Sequence, residues 1–145
     1  MFRPLLAGLI VSVAVTAAYA QSEHIAERKN IMKANGAATR AGTQMVKGEV
    51  PFDLAKAKEI LQTYAKSAKN YHEYFPENTK TGSETTASPK IWENLADFRA
   101  RFDQWGQDIA QASAQTKDLE SFKAAFGTVT KACSSCHQTY RISRS

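Results

Sequence analysis

Residues 119–140 read LESFKAAFGTVTKACSSCHQTY. Leu119, Phe122, Phe126, Val129, Cys133, Cys136 and Tyr140 recur there at steps of three and four. That spacing holds one apolar stripe of an α-helix against a neighbour. Both cysteines of the chain lie on this stripe, and they spell Cys133-Ser134-Ser135-Cys136-His137. C-x-x-C-H is the pattern of covalent haem attachment. Two thiols three residues apart share a helix face and can each form a thioether to one vinyl group of a flat macrocycle. His137 then places an imidazole nitrogen on the iron. A dithiol redox site or half a zinc site are the other readings of C-x-x-C. The first needs a βαβ setting, and no strand pattern accompanies the motif. The second needs four ligands, and His24 and His72 are far away in sequence.

Working outward, two more segments carry the same periodicity. One runs Leu54, Ala57, Leu61, Tyr64, Ala68, Tyr71, Phe75. The other runs Ile91, Leu95, Phe98, Phe102, Trp105, Ile109, Ala112. A further segment, roughly 22–47, carries two parallel stripes. Ile31, Ala34, Ala38, Ala41 and Met45 form one. Ile25, Arg28, Met32, Asn35, Thr39, Gly42 and Val46 form a second, mixed one. Such small-residue faces allow close approach to something bulky, a haem or another helix. The breaks carry turn chemistry: Gly48 to Pro51 with Asp53 as a cap, Phe75-Pro76, a polar loop over 76–89, Ser88-Pro89 as N-cap and N1, and Thr116 or Asp118 as a cap. The spacing predicts an all-α, antiparallel four-helix bundle.

Residues 1–20 read as a cleaved signal peptide: Arg3, an uncharged apolar run Leu5–Ala17, and Ala18-Tyr19-Ala20 as the cleavage site. The run is shorter than the roughly 20 residues of a spanning helix, so no membrane attachment is expected after cleavage. In a bacterial cell export leads to the periplasm. Residues 21–145, about 125, make one domain. With Arg3 set aside the charge is 18 basic against 14 acidic residues, or +4. The basic residues form no long block, so nucleic-acid binding is not indicated, whereas a modest positive field assists docking to acidic redox partner proteins. No catalytic constellation of an enzyme is present. His24 and His72 are expected to face solvent or helix ends.

An all-helical bundle with C-x-x-C-H near its end resembles the class II c-type cytochromes, the cytochrome c′ family. The resemblance extends to the segment Arg28–Gly36, to the turn Val46–Asp53, to Pro89–Trp92 and to Ala132–Arg141. It implies one haem c per chain. It also implies that Arg28 lies near the haem edge or a propionate, that Thr86 touches the haem and that Arg141 sits beside the proximal imidazole. The residue-level alternatives are a surface arginine at 28 and a helix-end cation at 141. Met32 falls on the distal side. Its thioether as sixth ligand makes a low-spin electron carrier, and the context of Met32 to Gly36 looks like that branch of the family. Met32 as a packing residue leaves a five-coordinate haem that binds nitric oxide or carbon monoxide. Met45 lies about 20 Å further along the helix axis. Family members include homodimers built from the first two helices, and monomer and homodimer both stay open here.

Overall fold

The computed structural model describes residues 7–81 and 85–142, with side chains described from Gln21 onward. The expected leader therefore lies largely outside the described side chains. Its backbone from Ala7 is helical and continuous with the first helix. No helix among the described residues is long and apolar enough to cross a membrane.

Five helices follow one another, α1 (Ala7–Val46), α2 (Leu54–Asn70), α3 (Lys90–Glu93), α4 (Leu95–Gln115) and α5 (Leu119–Tyr140). The boundaries follow local chemistry. Gly48 ends α1 in the left-handed region, φ +75°, while Gly48 N and Glu49 N donate to Met45 O and Gln44 O. Asp53 caps α2 by accepting from Lys56 N at 2.9 Å. Asp118, rather than Thr116, caps α5, in a reciprocal box with Ser121. Two single turns of 3-10 helix, Tyr71–Tyr74 and Glu77–Thr79, sit either side of Phe75-Pro76.

The four long helices form a bundle in which α1 touches α2 and α5, and α4 touches the same two. Tyr64, Phe98, Phe122, Ile60, Leu61, Ile109 and Val129 are fully buried between them. Phe98 meets Phe75, Phe102 and Tyr140 edge-on with ring centroids 4.8–5.2 Å apart, an arrangement that adds to simple burial.

The expected third helix is divided. Ser88 Oγ accepts from Lys90 N and starts α3, but Asn94 leaves helical geometry (φ −143°, ψ 65°) and caps α4 through Asp97 N. An asparagine side chain that bonds the backbone competes with helix continuation, which explains the break. The expected stripes are also narrower than the buried faces. Ile60 and Ala125 are buried outside them, because a bundle helix packs against two neighbours. Leu54, at the open start of α2, is 39% exposed. The loop before α3 and the chain's end are tied together: Ser88 N donates to Tyr140 O (3.0 Å), Ile142 N donates to Thr86 O (2.9 Å), and Ala87 bridges Arg141.

Candidate functional site

A cavity of about 760 Å³ opens between α1, α4 and α5. Its size falls in the range of roughly 300–1,000 Å³ seen for small-molecule and cofactor sites. The face of α5 contributes Cys133, Cys136 and His137. The mixed stripe of α1 contributes Ile25, Arg28, Met32, Asn35 and Thr39. The tied loop contributes Thr86, and Arg141 follows at the end of α5. Every site residue read from the sequence therefore lines this one cavity, while Met45 is buried in the core away from it.

The α5 wall is set by helix geometry. Cys133 and Cys136 are half-buried and His137 is exposed to the groove. The two cysteines are free of a disulfide, and burial raises both thiols above their usual range. Burial, and then the Arg141 guanidinium, lower the His137 imidazole, which favours the neutral ring that a metal needs.

Arg28 is 4% exposed, so it is not a surface arginine. Its Nε donates to Tyr74 O at 2.6 Å, and one terminal nitrogen donates to Thr79 Oγ1. The guanidinium lies 4.0 Å from the centre of the Phe75 ring. Burial lowers it to about 10, opposed by neighbouring Tyr71. The second terminal nitrogen, Nη1, is buried with no hydrogen-bond partner among the described residues. A buried guanidinium N–H without a partner is costly, so an anion beside the cavity fits here. Lys29, Lys33, Arg101 and Arg141 also border the cavity, against Asp108 as the one acid bordering it among the described residues. A macrocycle with an apolar body and two carboxylates matches this lining. The residues present fit a haem.

Sequence reasoning missed the α4 contribution. Arg101 donates from Nε to Asp97 Oδ2 at 2.7 Å, and Tyr140 OH donates to the same oxygen. These contacts lower the Asp97 carboxyl, while burial and the Asp97 contact push the Tyr140 phenol up to about 12. Arg101 immediately precedes Phe102 of the apolar stripe, and a hydrophobic periodicity carries no signal for a charged side chain at its edge. The two other histidines are half-buried rather than solvent-facing, and His72 stands at a helix end, in the turn that directly follows α2. His24 packs 6.0 Å from the Tyr74 ring, and His72 lies 6.4 Å from Phe102 with a buried Nδ1 that has no partner among the described residues.

The family profile described as cytochrome c′ matches residues 23–141. A cytochrome c′ of Rhodopseudomonas palustris is 39% identical over 140 residues, covering 97% of this chain and 95% of the relative. A cytochrome c-556 of Agrobacterium fabrum is 37% identical, covering 88% and 86%. The solved structure of cytochrome c′ from Rhodopseudomonas palustris superposes with a TM-score of 0.80 at 39% identity, covering 84% of this chain and 98% of that one. The chain belongs to the cytochrome c′ family, whose members carry one covalently attached haem c per chain.

Proposed function

We propose that this protein is a periplasmic one-electron carrier, with haem c attached through Cys133 and Cys136, His137 as one axial ligand and Met32 as the other. The observation that carries the reading is the shared cavity: the thioether of Met32 on α1 and the imidazole of His137 on α5 line one haem-sized space. A haem bound there supplies an iron that takes up and releases one electron. The chain's residues do the rest. His137 donates a neutral nitrogen. Met32 offers a soft sulfur that favours the reduced metal and raises the potential. With a haem seated there, Arg28 would offer its spare N–H to a propionate, Arg141 would stand on the side of His137, and Thr86 would bound the group from the tied loop. No bond of a substrate is made or broken, so the protein is a carrier and not an enzyme.

The partners on this reading are acidic redox proteins that meet the basic rim. A homodimer through α1 and α2 is the assembly the resemblance allows, and a sizing column reads it directly. Absorption spectra with and without carbon monoxide test the ligation. The wild type is expected to be low-spin and unmoved by the gas, and Met32→Ala to become high-spin and bind it. A wild type that is high-spin and binds carbon monoxide instead supports the five-coordinate, gas-binding reading. If Met32→Ala leaves the spectrum unchanged, Met32 is not a ligand.

A further inference from the structure

The inward stripe of α1 carries two uncharged polar side chains into the cavity, Asn35 and Thr39. Thr39 is fully committed. Its hydroxyl donates to Asn35 O (2.8 Å) and meets the Tyr64 hydroxyl at 2.8 Å. Tyr64 is completely buried, and burial pushes its phenol up to about 12, so it stays protonated and acts as the donor in that contact. Thr39 therefore has no proton to offer the cavity.

Asn35 differs. The residue is 7% exposed, and Ser67 Oγ, itself buried on α2, lies 2.8 Å from its Oδ1. The carbonyl end of the amide is thereby turned toward α2. The amide nitrogen, with two hydrogens, faces the other way, and no hydrogen bond among the described residues engages it. The nitrogen is not sealed inside the protein but opens onto the cavity, where an occupant that covered it without accepting its N–H would be penalised. An apolar residue would carry no such penalty, and Ile25, Met32 and Gly36 line the cavity from α1 beside it. Asn35 also stands three residues after Met32, so the two side chains share one face a single turn apart.

We propose that Asn35 is a distal hydrogen-bond donor, a positioning residue whose amide N–H is aimed by Ser67 at whatever occupies the sixth coordination position. When that occupant is the Met32 thioether, the N–H meets the sulfur, a weak acceptor. When it is a diatomic ligand, the N–H meets the ligand's outer atom and stabilises negative charge there. This deepens the proposed function, because it rests on a haem in this cavity, yet it holds whether or not Met32 is a ligand.

The test is the carbon–oxygen stretch of the carbon monoxide complex of the full holoprotein. It is measured in Met32→Ala, and in wild type too if wild type binds the gas. A donor pointing at the ligand lowers this frequency. Asn35→Leu, in the same background, is expected to raise it, and Ser67→Ala to split or broaden the band as the amide loses its anchor. Leucine has the same branching as asparagine, and Ser67 Oγ keeps Thr63 O (3.1 Å) as an acceptor when Asn35 is replaced. If Asn35→Leu disrupts folding, Ser67→Ala alone carries the test. Identical stretches in the parent and both variants overturn the proposal. An unchanged spectrum for Met32→Ala sinks only the ligation by Met32, and the stretch in wild type then decides the role of Asn35.

Discussion

Arg28 shows how one side chain joins fold and site. Its guanidinium holds the 71–79 turns to α1 through Tyr74 and Thr79 and lies against Phe75, while Nη1 is left over for the cavity. Replacing it with methionine removes two charge-assisted donors and strands their acceptors. The expected loss is about 2–3 kcal/mol, read as a lower urea midpoint at constant slope. Arg28→Lys keeps the charge but not the fork, so an intermediate loss is expected. Asp97 makes a different prediction. Its carboxyl is lowered by Tyr140 first and Arg101 next, so its folded-state value lies below its unfolded value. The stability it contributes is complete above the usual carboxylate range, near 4, and is lost as pH falls through the lower folded value. Asp97→Asn should therefore flatten the acid limb of stability against pH. An unaltered limb in acid unfolding curves contradicts this assignment.

At the scale of the element, the contact of α1 with α5 depends on Gly42. A Cβ built there falls 2.3–3.0 Å from three atoms of the Phe126 ring, and that ring is 7% exposed and held by Phe122. Gly42→Ala should destabilise by about 1–3 kcal/mol, the range for an overpacked core, despite alanine's better helix propensity. Thermal melts of the holoprotein measure it. Asp118→Ala, which removes the capping box of α5, is expected to lower the melting temperature in the same measurement. Helices α2, α4 and α5 were legible because long aromatic and aliphatic side chains repeat at steps of three and four. Cys133, Cys136 and His137 were legible because a short motif states its own chemistry. The mixed stripe of α1 was visible, but not why it is mixed. Asn35 and Arg28 are inward because their partners, Ser67, Tyr74 and Thr79, come from segments distant in sequence. The split at Asn94 and the Asp97–Arg101–Tyr140 cluster depend likewise on contacts that no periodicity encodes.

At the scale of the whole molecule, the cavity is a deficit that the haem fills. About 760 Å³ opens between α1, α4 and α5, and the side chains bordering a space of that size lose packing partners on one side unless something fills it. A chain made without haem attachment should show reduced helicity and a broad, non-cooperative melt by circular dichroism. Native helicity with a sharp transition contradicts this. The same cavity joins the parts of the site, since α5 brings the thiols and imidazole, α1 the thioether and the buried guanidinium, and the tied loop closes the edge. The most direct test of the account is the mass of the denatured mature chain after acid-acetone extraction. A coloured polypeptide heavier by one haem is expected, with the added mass on the peptide bearing Cys133 and Cys136. A colourless chain that weighs only its amino acids would contradict it.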